Sequence, residues 1–302
     1  MDMSPRYYQQ VTALLVAEKA GIDVIFGRST DRFGELDKVV MSDSSAWGPE
    51  LRHVYLKPDV VAPGDDIYTT FLTNSVSYMR NRGTSLSAPY VAGAIALYLG
   101  RYYGHRSKHD FLPKKMRHII QNSAYPLKDP KRGWEPIARQ GAGLLDVEKM
   151  FTGTIRVEPS AFSLGNYNSN KWSPNGVRYK SIRITNLDKV KHTYELSHHK
   201  MPFILKAVNP ETTRLGRNEK PSTYEPAFDV QSLTIGPNKT KVVRVRFTEP
   251  VGIDRRDNWL CSGYIVITRQ PNLYGSALTD DTVVVPYQGL WGYIGSFENA
   301  MK

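Results

Sequence analysis

Gly83-Thr84-Ser85-Leu86-Ser87-Ala88-Pro89-Tyr90-Val91-Ala92-Gly93 is followed directly by the apolar run Ala94-Ile95-Ala96-Leu97-Tyr98-Leu99. A serine stands between a Gly-Thr turn and the start of a helix, with small residues wherever that helix must lie close to a neighbour. The turn presents the hydroxyl. The helix N-terminus points its free N–H groups at any negative charge that develops beside it. This is the placement a serine nucleophile needs. The blander reading is a serine that caps a core helix, and the block must be weighed with the rest of the chain.

Three regions are predicted. Residues 1–38 hold an amphipathic helix over Val11–Gly21 and a buried strand over Ile22–Phe26, a helix–strand unit that reads as a piece of something longer. Residues 39–150 carry the serine block, and the run Val91–Leu99 reads as a buried helix. From residue 151 to residue 302 helical periodicity gives way to short alternating strands. These are Thr154–Val157, Lys180–Thr185, Lys241–Phe247, Gly263–Thr268 and Thr282–Val285, separated by turn signals such as Gly236-Pro237-Asn238. Regular strands with inside/outside alternation predict a β-sandwich of the fibronectin-III or immunoglobulin kind.

Composition narrows the class. The 302 residues leave room for two domains, and 40% hydrophobic with 23% charged residues is ordinary for a globular chain. The apolar run Val91–Leu99 is about half of the roughly 18 residues a membrane-spanning helix needs, so no membrane partner is expected. The first residues, Met1-Asp2-Met3-Ser4-Pro5, lack the basic-then-apolar pattern of a secretory signal. A single cysteine, Cys261, excludes an intramolecular disulfide. The sequon Asn238-Lys239-Thr240 makes Asn238 a glycosylation candidate. A net charge of +11 raises the question of nucleic acid, but the basic residues are dispersed. Val242-Val243-Arg244-Val245-Arg246-Phe247 places its arginines on the solvent face of a strand. No nucleic-acid partner is expected.

The serine block resembles the active-site serine segment of the subtilisin-like serine proteases, the subtilases, usually written G-T-S-x-S/A-x-P-x-V-A-G. The resemblance extends in both directions. Met41-Ser42-Asp43-Ser44-Ser45-Ala46-Trp47-Gly48-Pro49 is similar to their S-x-x-S-x-x-G-P segment, and Leu56-Lys57-Pro58-Asp59-Val60-Val61-Ala62-Pro63-Gly64 to their K-P-D-V-x-A-P-G strand and loop. Residues 113–124 match the helix after the nucleophile helix. Gln140-Gly141-Ala142-Gly143-Leu144-Leu145-Asp146-Val147 looks like the closing Q-G-A-G-L-V-x-V. Ser181-Ile182-Arg183-Ile184-Thr185-Asn186 matches a pattern of the fibronectin-like domain that larger secreted subtilases carry at this place.

The resemblance implies an α/β fold over 39–150, namely the C-terminal part of a parallel-sheet catalytic domain, followed by an all-β fibronectin-III-like sandwich over 151–302. Residues 1–38 would be the tail of a protease-associated domain. It assigns the nucleophile to Ser85, one oxyanion donor to the Ser85 backbone N–H, and supporting roles to Gly83, Thr84, Pro89 and Gly93. It implies a protein or peptide substrate, no cofactor or metal, and an extracellular parent enzyme.

The catalytic partners do not follow. Subtilases take the base from an H-G-T-H-V-A-G segment and the orienting acid from a D-T-G or D-S-G segment. Their side-chain oxyanion donor comes from an A-G-N segment. None of these strings occurs here. Of the seven histidines (His53, His105, His109, His118, His192, His198 and His199) only His53 precedes Ser85, in a context that reads as a variable loop. In subtilisin, loss of the base alone costs about 10⁶ in rate. Arg82 stands where the family usually has serine, a bulky charge beside the expected substrate path.

Two readings follow from this pattern. One is the C-terminal part of a serine endopeptidase that needs an N-terminal half carrying His and Asp. The other is a catalytically dead remnant that binds protein. Either way, residues 39–150 are expected to expose apolar helix surface and an unpaired strand edge, and the sandwich is expected to fold better alone.

Overall fold

A computed structural model describes residues 39–50, 55–70, 78–103, 113–129, 133–166, 176–209, 212–220, 224–254, 259–270 and 282–291. The helix and strand read in residues 1–38 lie outside them.

The first region opens with an antiparallel hairpin, β1 (Ile67–Thr70) with β2 (Tyr78–Asn81). Then come the long helix α1 (Thr84–Tyr103), α2 (Pro113–Asn122), β3 (Ala124–Tyr125), β4 (Lys128–Asp129) and β5 (Gly133–Trp134). The short helix α3 (Ile137–Gln140), β6 (Leu144–Leu145) and α4 (Val147–Thr152) complete it. The spacing of Met116 and Ile120 on α2 buries one face of that helix, and α1 contributes Ala94, Leu97 and Tyr98. Ala94, Tyr98, Met116, Ile120, Leu145, Val147 and Met150 form one core cluster. Asp146 caps α4 by accepting from the Lys149 N–H at 3.0 Å.

The run Val91–Leu99 is helical but buried on one side only. Ala88, Ala92, Gly93 and Ala96 of α1 are exposed, because α2 and α4 cover the opposite face and no described residue covers this one. Among the described residues the parallel pairing of this region is the single bridge Val61–Leu144; β1–β2, β3–β6 and β4–β5 are antiparallel.

The second region is a two-sheet sandwich. Its strands are β7 (Ile155–Glu158), β8 (Phe162–Asn166), β9 (Arg178–Asn186), β10 (His192–Lys200), β11 (Phe203–Asn209), β12 (Thr212–Lys220), β13 (Ala227–Phe228), β14 (Ser232–Ile235), β15 (Thr240–Phe247), β16 (Trp259–Arg269) and β17 (Thr282–Trp291). One sheet runs β13-β15-β9-β7. The other runs β12-β11-β16-β10-β14, with β17 against β16 and β8 parallel to β17. The alternation read from the sequence is the burial pattern seen. Val243, Val245 and Phe247 of β15 enter the core, while Arg244 and Arg246 face solvent.

β16 and β17 depart from simple alternation and are buried on both faces. Trp259, Cys261, Ile265, Ile267, Val283, Val285 and Tyr287 fill the sandwich core. The intervening Tyr264 and Val284 pack with Leu56, Ile137 and Met201. The outer face of this strand pair is therefore the seat of the first region. Strands covered on both sides read as continuous apolar runs, and Thr282-Val283-Val284-Val285 is such a run.

Candidate active site

Gly83 adopts φ +144°, a conformation that disfavours any side chain. Its N–H donates to the Gly64 carbonyl at 2.8 Å, and its own carbonyl accepts from the Leu86 N–H at 2.9 Å. This turn delivers the chain into α1, with Thr84 first and Ser85 second. Ser85 is exposed. Its N–H belongs to the first helical turn, where no intrahelical acceptor exists. Pro89 stands inside the helix and has no N–H to return to the Ser85 carbonyl four residues back. Ser87 Oγ donates to the Ala62 carbonyl at 3.1 Å, so the helix start is tied to the Lys57–Gly64 segment at two points. A Cβ built on Gly93 meets no described atom within 4 Å.

The other motif segments converge on the same frame. Ala142 N–H donates to the Asp59 carbonyl at 3.1 Å, Val61 N–H to the Gly143 carbonyl at 2.8 Å, and Leu145 N–H to the Val61 carbonyl at 2.9 Å. At Gly141 φ is +60° and a Cβ would collide with the Pro58 carbonyl. Gln140 is fully buried. Its Oε1 accepts from the Leu127 N–H at 2.6 Å and its Nε2 donates to the Glu135 carbonyl at 2.6 Å. Gly48 N–H donates to the Ala138 carbonyl at 2.7 Å, which brings in the Met41–Pro49 segment.

Among the described residues no histidine or carboxylate hydrogen-bonds Ser85. His53, His105 and His109 lie outside the described residues. His118 is buried on α2 with Nδ1 2.7 Å from Ser160 Oγ. Ser160 also donates to Gln121 Oε1, and Gln121 Nε2 donates to Asp59 Oδ1 at 3.1 Å. Burial pushes the His118 pKa down, with Glu158 opposing. This Ser–His pair is 1% and 8% exposed, so it is a strut between the two regions and presents no nucleophile to substrate. His192 holds Asp188 at 2.8 Å, and that hydrogen bond keeps the Asp188 carboxyl below its usual range. His198 Nε2 meets Tyr287 Oη at 2.7 Å, and the His199 ring lies 4.4 Å from the ring of Trp134. Arg82 is exposed next to the serine turn. No group of three or more His, Cys, Asp or Glu side chains placed to hold a metal occurs among the described residues. Asn238 sits exposed in the turn between β14 and β15 with φ +53°.

The model of the subtilase family matches residues 29–148, and that of the Fn3-like domain matches residues 166–288. Residues 29–148 belong to the subtilase family. The chain is 27% identical over 162 residues to the minor extracellular protease Vpr of Bacillus subtilis, covering 52% of this chain and 19% of that protein. C5a peptidase of Streptococcus pyogenes is 24% identical over 313 residues, covering all of this chain and 25% of that protein. PII-type proteinase of Lactococcus lactis is 23% identical over 271 residues, with 83% and 13% covered. The chain thus spans a quarter or less of the length of these relatives.

Several site-supporting residues carry no sequence signal of their own. Ser160 and His118 are 42 positions apart, and Tyr264, whose hydroxyl donates to the Gly141 carbonyl at 2.7 Å, is 123 away from its partner. Pattern reading has no access to such pairs.

Proposed function

We propose that this chain is the C-terminal part of a serine endopeptidase catalytic domain joined to its Fn3-like module, with Ser85 as nucleophile. The observation that carries this reading is the exposed Ser85 on the first turn of a 20-residue helix, set there by Gly83 in a glycine-favouring conformation. The Ser85 backbone N–H serves as one oxyanion donor. Gly83 and Thr84 make the turn, while Pro89 and Gly93 keep the exposed face of α1 small. Residues 39–150 contribute to an α/β parallel-sheet domain, with Val60–Val61 and Leu144–Leu145 as strand segments of it. Residues 151–302 are the sandwich, and residues 1–38 are a helix–strand remnant whose last positions, 29–38, already fall within the subtilase match. Neither the histidine nor the aspartate motif occurs in the sequence, so Ser85 works only when a segment carrying both completes the site. Alone, this chain turns over peptide bonds very slowly. The substrate is an extended protein segment, the parent enzyme is extracellular, and Asn238 is an acceptor for glycan where the secretory route provides one.

A fluorophosphonate probe tests the reading. The 302-residue chain is expected to label negligibly. A longer protein that adds the histidine and aspartate segments is expected to label strongly, and Ser85→Ala is expected to abolish that labelling. Strong Ser85-dependent labelling of the short chain would overturn the claim that it is inert alone. An unlabelled complete protein would favour the protein-binding remnant.

A further inference from the structure

A cavity of about 550 Å³ opens where α1, α2 and α4 meet the first strand of the sandwich. This is the size range of ligand sites, roughly 300–1,000 Å³. One wall is aromatic. The Tyr98 and Tyr102 rings are 4.6 Å apart, the Tyr102 and Phe151 rings 6.0 Å and stacked, and Tyr102 remains 42% exposed. The lining is also cationic. Lys115 of α2 and Arg156 of β7 both line the opening, and neither forms an ion pair among the described residues. Lys149 lies deeper, its Nζ 2.7 Å from the Thr282 carbonyl. No described lining residue is acidic. Asn122, 6% exposed, is part of the lining; its Oδ1 accepts from the Val157 N–H at 2.7 Å while its Nδ2 has no acceptor.

We propose that this junction cleft is a secondary binding site for an acidic peptide segment that also carries an aromatic or aliphatic side chain, separate from the Ser85 site. Carboxylates of the peptide meet Lys115 and Arg156, which form no ion pair among the described residues. Its apolar side chain covers the exposed ring of Tyr102 and the neighbouring rings. Each region contributes one side of the cleft, so it exists only in the joined chain. A sulfated glycan fits less well, because two cations do not form the continuous basic row that such a polymer requires.

The test is fluorescence anisotropy of the 302-residue chain with a fluorescein-labelled peptide of alternating aspartate and phenylalanine. The control peptide has lysine in place of aspartate, and a heparin hexasaccharide is the competitor. The acidic peptide is expected to bind and to weaken as salt rises. The double variant Lys115→Glu/Arg156→Glu is expected to weaken it at least tenfold, and Tyr102→Ala severalfold, with melting temperatures unchanged. Ser85→Ala is expected to bind as the parent does, so the fate of the cleft and that of the nucleophile are read separately. Equal binding of the basic peptide, no response to the double variant, or heparin binding that ignores Tyr102→Ala would each overturn the proposal.

Discussion

Gly83 holds φ +144° at the point where the chain turns into α1. Any side chain there must either bear that conformation or move the first helical turn, at a cost of about 1–3 kcal/mol. Gly83→Ala is therefore expected to lower the unfolding free energy by an amount in that range, read as a fall in the urea midpoint. In the complete enzyme it should also reduce fluorophosphonate labelling of Ser85, because the hydroxyl and the Ser85 N–H shift together. Unchanged labelling would separate the turn from the site. His198 makes a second prediction at this scale. Burial pushes its pKa from 6.5 down to about 4, with Glu225 opposing and Lys200 and His199 adding to the fall. The unfolded chain takes up its proton near 6.5 and the folded chain only near 4. The contribution to stability is thus complete above pH 6.5 and is lost as pH drops toward 4, on the order of 3 kcal/mol. His118 and His199 are shifted in the same direction by burial. The denaturation midpoint is expected to fall through that window, and His198→Gln is expected to flatten part of the slope. A midpoint independent of pH between 7 and 4 would contradict the assignment.

Among the elements, the turn from β9 to β10 is anchored by a buried amide. Asn186 is fully buried, and its Nδ2 donates to the carbonyls of Val190 at 2.7 Å, Ile235 at 3.1 Å and Gly236 at 3.2 Å. Its Oδ1 accepts from the Asp188 N–H at 2.9 Å. The amide thus ties the β9–β10 turn to the β14–β15 turn and so links the two sheets at one end. Asn186→Ala leaves several buried carbonyls unpaired and is expected to cost about 2–4 kcal/mol, measurable by urea titration of the full chain; Asn186→Asp, which keeps only the acceptor, is expected to fall near it. The last position of the Ser181–Asn186 pattern therefore has a tertiary cause, although in the sequence it reads only as a polar residue ending a strand. The strands themselves were legible, because burial of every second side chain is written locally in β9 and β15. β16 and β17 were legible as strands but not as an interface, since an apolar run does not say what covers its second face.

Across the whole molecule the two regions share a buried seam. Val157 N–H donates to Asn122, Leu56 N–H to Ser163 Oγ at 2.8 Å, Lys149 to the Thr282 carbonyl, and Tyr264 to the Gly141 carbonyl. Around these bonds Leu56, Ile137, Met201, Tyr264 and Val284 form an apolar cluster. Such a seam couples the regions, so one calorimetric transition is expected for both. Tyr264→Phe strands a buried carbonyl at about 1–2 kcal/mol and is expected to lower that transition by a few degrees. Two independent transitions, with only one responding to the variant, would show the seam to be weak. Its placement on Gly141 also means that the Fn3-like module supports the loop that flanks the Lys57–Gly64 segment, and through it the start of α1.

Local chemistry was enough to read the serine turn, the start of α1, the alternating strands and the family of the first region, because each depends on residues within a few positions of one another. A turn glycine, a helix start and a period of two leave their mark on adjacent letters. The burial of one face of α1, the seat of the first region on β16 and β17, the inert setting of His118 and Ser160, and the cationic cleft at the junction depend on contacts between residues about 40 to more than 130 positions apart, such as Lys149 with Thr282. Which faces meet over such distances is set by how complete surfaces pack, and no short stretch of sequence carries that information.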